Sequence, residues 1–476
     1  MKSVLFAGSE ALPFAATGGL GDVMGSLPVA IKAAHPEADV RAVMPLYSKI
    51  GKQYRDEMTF EKSITVTLAW RRLYCGIFSL ERGGVKWYFI DNEYYFLRDR
   101  IYGEFDDAER FAFFSVAVLE LMGAEGFFPE VLHCNDWQTA LSVILLKTRY
   151  NSYYGYSGVK AVYTIHNIDY QGEYGMEILG DVFSLSDAES GIVEYNGNIN
   201  LTKGAIVCAD FVTTVSPHYA KEIQDDYFAH GLGNITRMYS GKIDGIINGI
   251  DIASNDPKTD PDIPKNYSWR SLTGKAVCKE ELQKMTGLNV DPEVPIVAMI
   301  SRLAEHKGFD IVRFGIDGIM QNNNIQFVLL GTGDPDTENF FRGFASRYPG
   351  RAAVMIKYDR KLSKQIYAGA DIFLMPSKSE ACGLAQMIAS RYGTVPVVHE
   401  VGGLYDTIKP YGAGGNGFTF AAYNADDMGN VIYQATELYK DKEAWKKLVR
   451  KIMRIDFSWN VSADKYVGLY ENVINQ

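Results

Sequence analysis

Phe14-Ala15-Ala16-Thr17-Gly18-Gly19-Leu20-Gly21-Asp22-Val23 stands between a short apolar run, Val4-Leu5-Phe6-Ala7, and an amphipathic stretch from Val23 to Ala34. The run reads as a buried strand and the stretch as a helix. A strand, a glycine-rich bend and a helix start collect unpaired backbone N–H groups that point outward, a ready anion site. Glycines let such a backbone approach a ligand closely. The segment therefore predicts an α/β fold with a phosphate-bearing substrate at the turn. It also argues against a dinucleotide dehydrogenase. A G-x-G-x-x-G pattern would need glycines at 19, 21 and 24, but position 24 is Met24 and the glycine falls at Gly25. Gly331-Thr332-Gly333 is followed by Asp334-Pro335-Asp336, so the third glycine is missing there too.

Outward from this turn, short apolar runs alternate with helical patterns. Val40–Met44, Trp87–Ile90, Val131–His133, Ala161–Ile165 and Phe211–Val215 occupy the first half. Ile296–Ile300, Phe327–Leu330, Ala353–Ile356, Ile372–Met375 and Val395–Val398 occupy the second. Continuous apolar strands between helices mean parallel sheets covered on both faces. The polar stretch from Ile252 to Pro264, with Pro257, Pro261 and Pro264 and no period, separates two sets of strands. A chain of 476 residues exceeds one ordinary core. The expectation is two doubly wound, Rossmann-like α/β domains facing a central cleft, residues 1–250 and 255–455, with a tail over 456–476. Ligands in such folds sit outside the carboxyl ends of the strands.

Composition narrows the class. The chain is 47% hydrophobic and 22% charged, as ordinary globular proteins are. Its formal net charge is −10 and no face is dense in Lys or Arg, which argues against nucleic acid. No targeting segment or long apolar span is evident, so no membrane partner is expected. Five scattered cysteines fit a reducing cytoplasm better than a disulfide frame or zinc cluster, and the seven histidines lack metal-ligand spacing. No metal and no cofactor are expected; oligomeric state is not legible.

Several strand ends carry polar residues that a core would not choose. Val131-Leu132 runs into His133-Cys134-Asn135-Asp136, and Ala161–Ile165 into His166-Asn167. After Ile300 come Arg302 and Lys307, after Met375 comes Glu380, and after Val398 come Gly402-Gly403. Arg302 and Lys307 can fold over a diphosphate, Arg as a fork and Lys as a point charge, or can simply form a solvated loop. Glu380 can grip sugar hydroxyls or complement a helix start. Taken singly, His166 reads as structural, Asp136 as a turn residue and each glycine pair as a tight turn. Falling together at successive strand ends, they read as one site.

Twelve segments in order carry a resemblance: TGGLGDV (17–23), HCNDWQTA (133–140), YTIHNIDYQG (163–172), INLTKGAIVCAD (199–210), VTTVSPHYAKEI (212–223), INGID (247–251), SRLAEHKG (301–308), LLGTGDP (329–335), PSKSEACGLAQ (376–386), YGTVPVV (392–398), GGLYDT (402–407) and FSWNVSADKY (457–466). The chain resembles bacterial glycogen synthases and plant starch synthases, retaining glucosyltransferases of the GT-B fold. The resemblance runs from Met1 to about Tyr470. It implies transfer of glucose from ADP-glucose to the non-reducing end of an α-1,4-glucan with retention, by front-face attack, without metal. It implies that Arg302 and Lys307 contact the diphosphate and stabilise its departure, and that Glu380 lies by the donor glucose. Cys382, Gly383 and Leu384 form the following turn, whose backbone meets sugar hydroxyls. His166 presents its carbonyl to the anomeric region, Asp136 lies near sugar and acceptor, and Asn248 reaches the donor sugar. Tyr358 is set against adenine, and Lys203 belongs to an acceptor-side segment. Thr17, Gly18, Gly19 and Asp22, with Gly402 and Gly403, line the substrate, and the tail forms a helix crossing back to the first domain.

The chain departs from the family pattern at four places. Ala16 stands where a lysine precedes Thr17, Gln138 where relatives often carry histidine, Ser254-Asn255 where tryptophan is usual, and Val401 where threonine often stands. Losing the lysine's charge-assisted contact costs about 1.5–3 kcal/mol if nothing replaces it. The alternatives kept open are a weakly active or non-catalytic glucan-binding paralogue, and the same reaction with UDP-glucose.

Overall fold

A computed structural model describes the backbone of residues 1–476 and every side chain except that of Ala413. The chain divides into two compact units, Met1–Gly249 with Trp459–Gln476, and Ile250–Ser458.

The first unit is built on nine strands: β1 (Ser3–Ala7), β2 (Asp39–Pro45), β3 (Thr59–Leu68), β4 (Arg71–Arg82), β5 (Val85–Asp91), β6 (Val131–Asn135), β7 (Lys160–Ile165), β8 (Phe211–Thr214) and β9 (Ile243–Gly245). Their order across the sheet is β9-β8-β7-β6-β1-β2-β5-β4-β3. From β9 to β5 every pairing is parallel, while β3 and β4 form an antiparallel edge. The parallel strands are the continuous apolar runs: in β6 all five residues are buried, and in β1 four of five. The order reverses between β1 and β6, so the crevice at the carboxyl ends of these two strands is the unit's topological switch point.

The C-terminal helix Trp459–Ile474 belongs to this unit. It is anchored by Tyr470, whose hydroxyl lies 2.6 Å from His133 Nδ1, and by Ser462 Oγ donating to Ile247 O at 2.6 Å. His133 Nε2 continues the chain to Thr164 Oγ1 at 2.6 Å. Burial holds His133 down at about 3, so the ring is neutral and serves as a core hydrogen-bonding bridge.

The second unit holds six parallel strands: β10 (Ile296–Ile300), β11 (Gln326–Leu330), β12 (Ala352–Met355), β13 (Ile372–Met375), β14 (Val395–His399) and β15 (Phe418–Phe420). Their order is β12-β11-β10-β13-β14-β15, the doubly wound order, with its reversal between β10 and β13. The polar stretch 252–264 lies within this unit and is tied into it. Asp260, 3% exposed, accepts from Lys364 Nζ at 3.3 Å and from the Tyr392 hydroxyl. Asp256 pairs with Arg391 at 2.8 Å. Among the described residues, no helix is long and apolar enough to cross a membrane.

Candidate active site

At the first unit's switch point two amides of the glycine turn meet an internal carboxylate. The helix begins at Gly19, four residues earlier than the amphipathic pattern suggests, with Gly18 extended before it. The N–H of Thr17 donates to the carboxylate of Glu10, Thr17 Oγ1 donates to the same oxygen at 3.0 Å, and the Gly18 N–H also faces that carboxylate. These amides point inward to an anion that the chain itself supplies. Burial raises the Glu10 carboxyl against the lowering effect of those donors, and the charge of Asp22 adds to the rise. Glu10 is the residue that sequence reading missed. It lies in Gly8-Ser9-Glu10, directly after β1, so the rule that selected polar residues after β6 and β7 selects it as well. Ala16 packs against the helix start, where a Cβ on Gly21 would stand 2.3 Å from Ala16 Cβ.

Asp136 and His166 are brought together. Asp136, directly after β6, has φ +58° and ψ 177°, a region that glycine populates and other residues enter at a cost of about 1–3 kcal/mol. Its Oδ1 accepts the N–H of His166 at 2.8 Å, and the Asn167 N–H also faces it. Desolvation pushes its carboxyl up to about 7, and the neighbouring Glu10 charge contributes. His166 Nε2 lies 2.9 Å from Asn135 Oδ1, and desolvation lowers the ring to about 3. A neutral imidazole facing a carbonyl oxygen donates from Nε2, so His166 orients and donates without carrying charge.

Asn248 follows β9 and is 6% exposed, and its Oδ1 has no hydrogen-bond partner. Such an orphaned acceptor has capacity to spend on a ligand. Gln138 Oε1 is likewise buried without a partner. No hydrogen bond ties Lys203 to Asp136 or His166. Its Nζ donates to Gly191 O at 2.6 Å, and its N–H is capped by Asn200 Oδ1 at 2.9 Å.

Near the second unit's switch point Lys307 and Glu380 come into contact. Lys307 Nζ lies 2.6 Å from Glu380 Oε2, and Ser377 Oγ donates to the same oxygen at 3.2 Å. Arg302 is exposed, and among the described residues its guanidinium has no ion pair. The two loops are sewn together, with the N–H groups of Lys378 and Ser379 both meeting His306 O, at 2.9 and 3.4 Å. They approach closely enough that Gly308, at φ +81°, has room for no side chain: its Cβ would stand 1.9 Å from Pro376 O.

Gly402 and Gly403 are closed in by neighbouring backbone. A Cβ on Gly402 would stand 1.9 Å from Glu380 O, one on Gly403 would stand 2.2 Å from Cys382 O, and the Gly403 N–H donates to Ala381 O at 3.2 Å. The pair is small because the Glu380–Cys382 segment lies directly on it. Gln386 Nε2 then holds Cys382 O at 3.1 Å and Gly383 O at 2.9 Å, which shapes the turn ending in Leu384. Tyr358, beyond the carboxyl end of edge strand β12, leaves 89% of its surface open.

Comparison with known proteins matches these features to a family. Residues 3–238 match the starch synthase catalytic domain, and residues 280–452 match glycosyl transferases group 1. The chain is 44% identical over 476 residues to glycogen synthase of Ligilactobacillus salivarius, covering 99% of this chain and 100% of that one. It is 46% identical over 475 residues to glycogen synthase of Alkaliphilus metalliredigens, covering 99% of each. The catalytic domain of starch synthase IV from Arabidopsis thaliana, solved with ADP and acarbose, superposes with a TM-score of 0.90 at 33% identity, covering 100% of this chain and 99% of that one. Sucrose-phosphate synthase of Thermosynechococcus elongatus, at 16% identity and a TM-score of 0.62 over the full length of both chains, shares the fold. The chain belongs to the glycogen synthase and starch synthase family of GT-B hexosyltransferases.

Proposed function

We propose that the protein transfers glucose from ADP-glucose to the non-reducing end of an α-1,4-glucan with retention of configuration. The observation that carries this reading is the second unit's switch point: a Lys307–Glu380 pair at 2.6 Å, with Arg302, which has no ion pair among the described residues, on the same loop as Lys307. Arg302 and Lys307 neutralise the departing diphosphate, the dominant electrostatic task in such a reaction. Tyr358 supplies an open ring face for adenine. Cys382, Gly383 and Leu384 offer backbone to the glucose, with Gly402 and Gly403 holding that segment in place. Asp136, His166 and Asn248, with Thr17, Gly18, Gly19 and Asp22, serve the sugar and acceptor side, and Lys203 braces the acceptor-side segment. On this reading the unit 250–458 handles the nucleotide sugar and the other unit handles the glucan, within a cytoplasmic enzyme.

Front-face attack, with the leaving phosphate taking the acceptor proton, accounts for retention. The test is ADP release and glucan elongation from ADP-glucose and glycogen, with the anomeric configuration of the new linkage read by proton NMR. Turnover no greater than that of an R302A/K307A double variant refutes the reading. The ratio of kcat/KM for ADP-glucose and UDP-glucose decides the donor. Ala16 favours a second reading, a glucan-binding paralogue of low activity: glycogen binding without turnover in the same assay selects it.

A further inference from the structure

His399 closes β14, the strand between β13 and β15, and is 6% exposed. Its ring bridges the loops that leave both neighbours. Nδ1 lies 2.7 Å from the carbonyl oxygen of Ser377, two residues beyond β13. Nε2 lies 3.3 Å from the carbonyl oxygen of Ala421, directly after β15. The rings of Phe420 and Tyr423 close on it, each with its centroid 5.2 Å away. A carbonyl oxygen only accepts, and a neutral imidazole has one N–H to give. The shorter contact takes it, because two acceptors at 2.7 Å would repel each other. Nδ1 therefore carries the proton and donates to Ser377 O.

Ser377 is 1% exposed, and its hydroxyl donates at 3.2 Å to Glu380 Oε2, the oxygen that lies 2.6 Å from Lys307 Nζ. The pairing of β13 with β14 ends at Met375 and Val398. The His399 side chain thus takes hold of the departing segment where backbone pairing stops. A buried serine engaged through both carbonyl and hydroxyl is fixed in place and in rotamer. We propose that His399 is a positioning residue for Glu380: by donating from Nδ1 to the Ser377 carbonyl, it fixes the serine whose hydroxyl orients the Glu380 carboxylate against Lys307. The inference rests on the proposed place of Glu380 beside the donor glucose, and part of its test therefore needs no turnover.

Asparagine places its amide nitrogen where Nδ1 stands, and glutamine where Nε2 stands. H399N keeps the donor to Ser377 O, H399Q keeps only a donor toward Ala421 O, and S377A removes the hydroxyl on Glu380. With ADP-glucose and glycogen, kcat is expected to fall about tenfold or more in H399Q and S377A and to stay within about threefold in H399N, with KM for glycogen within about twofold throughout. The second readout is limited acetylation with acetic anhydride, followed by peptide mass spectrometry. Lys307 should be labelled severalfold faster in H399Q and S377A and at the unaltered rate in H399N, with E380Q giving the rate for the broken pair. The proposal is overturned if H399N falls as far as H399Q, if H399Q or S377A keeps kcat within about twofold, or if Lys307 labelling does not follow the same pattern. Loss of the cooperative thermal transition in H399Q also overturns it, since His399 would then be structural only. Should the unaltered protein transfer no glucose yet show the labelling pattern, the synthase reading fails and this inference stands; with neither transfer nor pattern, both fail.

Discussion

Gly402→Ala tests whether the second glycine pair exists to seat Glu380. Gly402 has φ +43°, and its added Cβ would stand 1.9 Å from Glu380 O, 3.0 Å from Glu380 C and 3.2 Å from Ala381 O. The obstacle is backbone, so no side-chain rotation relieves it. To reach ordinary contact the Glu380–Ala381 segment must retreat about 1.5 Å, because the interior is too closely packed to absorb the overlap. The left-handed conformation costs alanine about 1–2 kcal/mol. The forced shift costs about 1–3 kcal/mol more. In a unit of about 200 residues, where each kcal/mol moves Tm by about 2–4 °C, the expected fall is about 5–15 °C. Activity should suffer separately. Glu380 Oε2 lies 2.6 Å from Lys307 Nζ, and a displacement of this size breaks that contact. Misplacing a reacting constellation by about 1 Å costs about 100-fold in rate. The assay is ADP release from ADP-glucose with saturating glycogen, beside a thermal melt. Gly318→Ala is the control, since its Cβ meets nothing within 4 Å and its site is an exposed turn of the helix Phe309–Asn322. It should gain up to about 1 kcal/mol and keep full activity. A G402A enzyme with kcat within about twofold of the unaltered protein and an unmoved Tm would refute the reasoning.

R302A removes an exposed side chain without an ion pair, so its Tm should move within about 0.5 kcal/mol equivalent while kcat falls about 100-fold or more; equal losses of stability and rate in steady-state and melting experiments would contradict this. D136N bears on pH. The folded-state value of Asp136, about 7, lies above its ordinary 3.8, so the folded state binds the proton more tightly, and this group's contribution to stability is lost as pH rises from about 4 through 7. Denaturation curves across that range should show a flatter pH dependence for D136N than for the unaltered protein, and parallel curves would count against the assignment. Y470F deletes the hydroxyl 2.6 Å from buried His133 Nδ1 and leaves that nitrogen alone, which should cost about 1–3 kcal/mol in a urea titration. An unchanged midpoint would mean that the C-terminal helix is held without that bond.

The parallel strands were legible because burial on both faces forces unbroken apolar runs such as Ile296–Ile300 and Ile372–Met375. The antiparallel edge was not. β3 is largely exposed along its length, so Ile64, Val66 and Leu68 alternate with threonines instead of forming an unbroken apolar run, and β3 joins β4 through Ala69-Trp70, with Ala69 at φ +53°, where a recognisable hairpin would show Asn-Gly. Arg302, Lys307 and Glu380 were legible as polar residues after buried strands, and the structure brings Lys307 and Glu380 into contact. Glu10 was obscured because the glycines after it drew the reading, and a glycine-rich turn does not reveal whether its amides face solvent or an internal carboxylate. Gly18-Gly19 and Gly402-Gly403 look alike in sequence for different reasons: the first frees a helix start, and the second admits a neighbouring backbone.

Charge is divided between the two units in a way that bears on how the leaving group departs. In the first unit Glu10 and Asp136 follow β1 and β6, Asp22 lies in the first turn of the helix Gly19–Ala34, and burial keeps His166, beside Asp136, neutral. The second unit's strand ends carry Arg302 and the Lys307–Glu380 pair. Protonating a departing oxygen needs an acid with a proton to give near neutral pH. His166, lowered to about 3, has no such proton, and Glu380 is tied to a lysine as a carboxylate. Asp136, at about 7, has one, but on the proposed reading the diphosphate contacts belong to the other unit. On the proposed reading a diphosphate needs no proton to leave, only compensation of its growing negative charge, and two cations at a strand-end crevice supply that. On the same reading, a chain with alanine at position 16 keeps its cationic contacts at Arg302 and Lys307.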